Sequence, residues 1–461
     1  MTRYKSEAVA SGRDWYPAAV LALLIVALTC GGSSSSPISA GIVRICAVPV
    51  LAVGLWRMAQ GRASHAAAWP LWLLAAAAAL IAAQCIPLPP GLWSELPGHR
   101  TVVDAYRAAE IPLPWLPISL TPAATWDALL GLTPPAAMLV ATLTLGDRDR
   151  RLVAAGVLVV ALASVGLGML QLAGGEHSPL RIYAVTNANS AVGFFANRNH
   201  FSGFLATTLP LAAYLATRWA RQAPAFSLLW IAAGLAVGAI DAVGAASTGS
   251  RAGLLLVLIG AAASVMVILR ARARSSAPRW RFAALAAPAG LALCAIGLIV
   301  LAVNPRLEHR VQARTGPELR FELNPQVAKV GLDFAPFGSG AGSFAAVYQM
   351  YEPVSSMGPA FVNHAHDDFI EVWLEAGVAG VTLIVAFLVW WVTATWSRLQ
   401  GRRGDRGAAL ALAGSFVVGM LLVHSLVDYP LRTPALITLF AFACGLIVPC
   451  RGENGGGPGA S

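Results

Sequence analysis

The chain reads as an all-α, polytopic helical membrane protein, and three observations predict that class. Hydrophobic residues make up 57% of its 461 residues and charged ones 12%, about half the charge of a soluble globular protein. Apolar runs of roughly 20 residues, enough to cross a bilayer, recur from end to end. Arginine-rich punctuation falls in alternate gaps between those runs, as the positive-inside rule requires.

The runs place about 12 spans near 16–30, 38–56, 68–86, 123–145, 152–174, 199–217, 225–246, 250–270, 282–303, 367–392, 407–428 and 433–449. The first follows a basic tail, residues 1–15 with Arg3, Lys5 and Arg13, and reads as an uncleaved signal anchor. Thr29 ill suits the position before a lipid-modified cysteine, so Cys30 is not expected to carry a lipid. Arginines cluster in the tail and in RMAQGRASH, GDRDRR, TRWARQ, RARARSSAPRWR and SRLQGRRGDRG, which puts both termini on the cytoplasmic side. The net charge of +10 is explained by this topology, not by a nucleic-acid surface. The six cysteines, Cys30, Cys46, Cys85, Cys294, Cys444 and Cys450, lie in or beside apolar segments without metal-ligand spacing and read as small buried hydrophobes.

The expected organisation is a bundle over 16–174 with an outer loop at 87–122, then a transmembrane core over 175–303. A large outer loop at 304–366, C-terminal helices over 367–449 and a flexible tail at 450–461 follow. The large loop carries Arg306, Arg310, Arg314, Arg320 and Lys329, a cationic set that wants an anionic partner.

Four polar clusters interrupt the apolar chain: TNANSAVGFFANRNHFSGF (186–204), STGSRAG (247–253), the segment ending HAHDD (364–368), and HSLVDYPLR (424–432). The span order puts all four at the outer ends of helices, where they can share one site. Arg251 enters a helix beside Ser247, Thr248 and Ser250; it either snorkels or forms an anion site with those hydroxyls and the helix N-terminus. Arg320 is either a solvated loop charge or a second guanidinium for phosphate oxygens. FGSGAGSF (337–344) lacks the Gly-Lys-Ser/Thr ending of a nucleotide loop and reads as a tight turn.

Asp367 and Asp368 open a helix, where carboxylates are favoured, and capping is their simplest reading. With His364 and His366 they also make a two-His, two-Asp set, but HxHDD is not a recognisable zinc pattern, and no metal or cofactor is called for. An imidazole, with an ordinary pKa of about 6.5, can take a proton from a hydroxyl near neutral pH, so the segment also reads as an acid-base centre. Asp428 orients Arg432 or a catalytic group, or caps a helix end. Asn197, Arg198, Asn199 and His200 line a substrate path or pack helices through hydrogen bonds.

ANRNHFSGFLATTLPL, STGSRAG, Arg320 followed by PFGSGAGSF, HAHDDFIEVWLEAGVAG and HSLVDYPLR, in that order, resemble the O-antigen ligase and polymerase superfamily over about residues 180–450. The resemblance implies a GT-C-like helical fold with a large periplasmic loop in the bacterial inner membrane. It implies a glycosyltransferase of lipopolysaccharide or polysaccharide biosynthesis that moves a glycan from undecaprenyl diphosphate to an acceptor hydroxyl at the periplasmic face. The acceptor is lipid A core in a ligase, a growing glycan in a polymerase, or a protein side chain in other relatives. Arg251 and Arg320 are then assigned to the donor diphosphate, with Arg198 a further candidate for it, and His366, with His364 beside it, to acceptor activation. Asn197, Asn199, Asp367, Asp428 and Arg432 support them, and Asp367 stands where the family motif has asparagine. A transporter for lipid-linked glycans is the rival class; it asks for charges near mid-bilayer, for which Arg44 is the main candidate.

Overall fold

The computed structural model describes residues 14–272, 317–354, 362–400 and 407–451. Eight helices among the described residues are long and apolar enough to cross a membrane. Helices form at every expected span that is described; the span expected at 282–303 lies outside the described residues.

In chain order the helices are α1 (Tyr16–Cys30), α2 (Pro37–Ala59), α3 (Ala68–Ala83), α4 (Pro90–Trp93), α5 (Arg100–Ala108), α6 (Pro122–Gly131), α7 (Thr133–Thr144) and α8 (Asp147–Ala173). They continue with α9 (Arg198–Gln222), α10 (Ser227–Ser247), α11 (Arg251–Arg272), α12 (Pro317–Asp333), α13 (Phe344–Tyr351), α14 (Asp368–Gln400), α15 (Ala408–Ser425) and α16 (Pro434–Ile447). Proline opens α2, α4, α6 and α16, where its missing N–H costs no hydrogen bond. The β pairings among the described residues are two isolated bridges, Gly32 with Phe195 and Leu88 with Leu116.

Helix α9 is the axis of the bundle: 18 of its 25 residues are buried, and α8, α10, α11 and α15 pack around it. Because protein rather than lipid surrounds it, α9 tolerates Ser202, Thr207, Thr208 and Thr217 at its core. The hydroxyls of Thr207, Thr208 and Thr217 donate to carbonyls three or four residues back, as an apolar interior demands. Arg44 of α2, the expected in-span charge, forms a bidentate pair with Asp127 of α6 at 2.6 and 2.9 Å.

One end of the bundle is closed by arginines that donate to the last carbonyls of neighbouring helices. Arg150 reaches Thr142 O and Val448 O, Arg221 reaches Ala271 O, Arg270 reaches Arg398 O, and Arg398 reaches Ile447 O. These are the arginines of the punctuating loops, so they also satisfy helix C-termini and their dipoles.

The four polar clusters lie at the other helix ends. The expected loop 304–366 is folded where it is described: α12 and α13 bury Leu323, Val327, Phe334, Phe344 and Tyr348 against Ala365 and Leu374. The expected loop 87–122 likewise holds α4 and α5. A non-helical residue, Gly377 (φ 56°, ψ −146°), breaks α14. The break releases the carbonyls of Leu374 and Glu375, which accept the N–H groups of Ser339 and Gly340 at 2.9 Å each; Val378 N–H returns to Pro336 O. FGSGAGSF is therefore a turn, as expected, but it docks onto a broken helix. Gly338 (φ 80°) lies so close to Glu375 that a Cβ would sit 2.4 Å from its carbonyl oxygen.

Candidate active site

Asp428, on the link between α15 and α16, is fully buried and is the hub of the site. Asn199 Nδ2 donates to its Oδ2 at 2.7 Å, and the Tyr429 N–H donates to its Oδ1 at 3.0 Å. His366 Nδ1 approaches the same Oδ1 at 3.3 Å and His200 Nε2 at 3.6 Å. Burial pushes the Asp428 carboxyl up, but its contacts with His200 and His366 outweigh that and hold it well below the usual carboxylate range.

His366 reaches this carboxylate because its backbone is left-handed, with φ 57°, an uncommon conformation for a residue with a side chain. Just after it, Asp367 Oδ1 accepts the N–H groups of Phe369 at 2.9 Å and Ile370 at 3.1 Å, so Asp367 is the cap expected of it. Burial raises the Asp367 carboxyl despite those two bonds. His364 is held separately: its Nδ1 lies 2.9 Å from Glu371 Oε1, while Glu371 Oε2 accepts the Ala365 N–H. Tyr429 stands among the imidazoles, with ring centroids 4.2 Å from His364, 4.9 Å from His366 and 5.0 Å from His200. Burial, reinforced by the charge on Asp428, pushes its phenol up to about 12.

Behind the histidines, Arg432 faces three carboxylates of one helix: Glu375 at 2.8 Å and Asp368 and Glu371 at 3.5 Å. Burial lowers the guanidinium, but the three acids outweigh it and push Arg432 above its already high range. The acids stand at i, i+3 and i+7, one face of α14. The histidines approach the Asp428 carboxylate, while Arg432 faces Asp368, Glu371 and Glu375.

Gln84 joins the first third of the chain to this cluster. Its Nε2 donates to Glu375 O at 2.8 Å, and its Oε1 accepts the Ala341 N–H at 3.0 Å. Glu371, Glu375, Tyr429 and Gln84 were not anticipated as site residues, and His200 was anticipated only as a path residue. The two acids carry a readable signal, helical spacing from Asp368 inside an apolar run. Gln84 carries none, because its partners are backbone groups more than 250 residues away.

The structure gathers His364, His366, Asp367, Asp428, Arg432, Asn199 and His200. Asn197 caps α9, its Oδ1 accepting the Asn199 N–H at 2.8 Å. Arg198 is the first residue of α9 and half-buried; Arg251 is the first residue of α11 and exposed. The first turn of α11 lies against the start of α9, since a Cβ on Gly253 would sit 2.1 Å from Ser202 Oγ. Arg320 belongs to α12, but its side chain lies outside the described residues, as do Arg306, Arg310 and Arg314. Among the described residues no group of three or more His, Cys, Asp or Glu is arranged to hold a metal ion.

A polytopic helical membrane protein with a carboxylate-backed histidine pair at one end of its bundle is thereby defined. Residues 235–385 match the family model described as O-antigen ligase, about a third of the chain. The match bears out the resemblance to the O-antigen ligase superfamily read from the motifs. No curated protein matches the chain. The match includes Arg251, Arg320, His364 and His366; His200, Asp428 and Arg432 fall outside it.

Proposed function

We propose that the protein transfers a glycan from undecaprenyl diphosphate to an acceptor hydroxyl, foremost on lipid A core, at the periplasmic face of the bacterial inner membrane. The observation that carries this reading is the His366–Asp428 pair. With Nδ1–H committed to the carboxylate, Nε2 of His366 is the basic nitrogen, and His366 is the more exposed of the two paired histidines, 28% against 17% for His364.

In the proposed reaction the acceptor oxygen attacks the anomeric carbon of the donor and forms a new C–O bond. The bond from that carbon to the diphosphate oxygen breaks, and the hydroxyl proton passes to His366 Nε2. Asp428 stabilises the resulting imidazolium. Arg251, Arg198 and Arg320 hold the diphosphate and offset the charge that grows on it as it leaves. The chemistry needs no metal or cofactor, and chelators are expected to leave the rate unchanged.

The test reconstitutes the full chain in lipid vesicles with an undecaprenyl-diphosphate oligosaccharide, with and without lipid A core, and follows product size. A single jump in size that requires core supports a ligase. A ladder formed without core identifies a polymerase of the same superfamily, and transfer to a protein side chain identifies an oligosaccharyltransferase. An intact donor carried across the bilayer refutes the transferase reading in favour of a transporter.

A further inference from the structure

Asp428 Oδ1 is shared by two imidazoles from distant parts of the chain, His366 Nδ1 at 3.3 Å and His200 Nε2 at 3.6 Å. The two differ in setting: the His366 side chain is 28% exposed and that of His200 is 1% exposed. Both ring nitrogens of His200 are buried without a hydrogen-bond partner among the described residues, and the Asp428 oxygen is the charge that Nε2 approaches. An unsatisfied buried polar group costs about 1–3 kcal/mol. A leucine or phenylalanine on this buried turn of α9 avoids that cost, so packing alone does not account for the imidazole.

We propose that His200 is a positioning residue that competes with His366 for Asp428 Oδ1, and so sets how readily His366 holds a proton. A carboxylate already engaged by His200 supports an imidazolium on His366 less strongly. His366 then stays unprotonated, and competent as a base, at lower pH than it does with Asp428 to itself. The catalytic half of this inference rests on the function proposed above; the effect on His366 itself does not.

Other polar and titratable groups face the same site. From α9, Asn199 donates to the other carboxylate oxygen and does not titrate. From α15, His424 is 6.0 Å from the His200 ring. His364 commits its Nδ1 to Glu371, and Arg432 is held by Asp368, Glu371 and Glu375. Tyr429 contributes its backbone N–H to Asp428 and packs its ring against His200.

The test uses the full chain in lipid and needs no glycan donor. Diethyl pyrocarbonate acylates neutral imidazole, so the pH dependence of labelling at His366, read by peptide mass spectrometry, reports when that residue loses its proton. His200→Phe removes the competitor, and the midpoint is expected to rise by about half a unit to one unit. His200→Gln, whose amide nitrogen replaces Nε2, is expected to titrate with the native protein. His200→Asn, too short to reach Asp428, is expected to behave like the Phe variant and serves if that variant does not fold.

An unmoved midpoint in folded His200→Phe or His200→Asn overturns the proposal. In the transfer assay the acid limb of the pH–rate profile is expected to move with the labelling midpoint. A labelling shift in a protein that transfers no glycan keeps the positioning role and rejects the proposed function.

Discussion

Asp428→Asn isolates the part of the site on which the proposed chemistry depends. The substitution keeps the shape of the side chain and removes its charge. One remaining oxygen can still accept from Asn199 or from the Tyr429 N–H, but an NH2 now faces donors that the carboxylate had satisfied at 2.7, 3.0 and 3.3 Å. Hydrogen bonds to a charged group contribute about 1.5–3 kcal/mol each, so losing one or two costs roughly 2–5 kcal/mol locally. For catalysis, the amide no longer holds His366 Nδ1 protonated or stabilises its imidazolium, which predicts a fall in kcat of about 10² to 10⁴, or about 3–5 kcal/mol of activation free energy. The assay is glycan transfer in proteoliposomes at saturating donor, with KM measured alongside because binding should change less than turnover. A folded Asp428→Asn variant within threefold of native kcat refutes the His366–Asp428 reading.

Three further predictions follow from the supports of the site. Gly377→Ala forces a side chain into a left-handed conformation and places a Cβ 2.2 Å from Pro336 O, so thermal unfolding in detergent should show a loss of at least about 3 kcal/mol. Arg432→Met leaves Asp368, Glu371 and Glu375 without their buried cation and is expected to cost about 3–5 kcal/mol by the same measurement, whereas a conservative loss below about 1 kcal/mol contradicts the pairing. The Asp428 carboxyl is lowered on folding, so the stability it contributes is present above the ordinary carboxylate pKa of about 3.9 and is lost as pH falls through its lower folded value. Unfolding measured from pH 6 down to pH 2 should therefore show an acid-dependent component that Asp428→Asn removes.

Much of this architecture was legible because lipid leaves few options: apolar runs must become helices, and alternate arginine loops mark one end of the bundle. The same logic placed His366, His364, Asn199, Asp428 and Arg432 at one membrane face before any geometry was known. It did not show who pairs with whom. Asp428 was open to Arg432 four residues on, to a catalytic group or to a helix-end cap, and a short turn sends the two residues to different clusters, one to imidazoles and the other to the acids of α14. Gly377 was invisible for a related reason. A glycine in an apolar helix looks like a packing residue, and only the docking of Ser339 and Gly340 on the freed carbonyls reveals a break. The long outer segments read as loops because their apolar residues are sparse and interrupted by proline. Their helices are short, and what holds α12 and α13 in place is their packing against Ala365 and Leu374.

The central claim is that His366 removes the acceptor proton during glycan transfer. Its most direct test compares donor consumption by the native protein and by His366→Ala, matched for insertion and helical content, in vesicles holding undecaprenyl-diphosphate oligosaccharide and lipid A core. The account predicts full conversion by the native chain and background turnover by the variant. Transfer by His366→Ala within tenfold of native, or an unconsumed donor with the native chain, contradicts it.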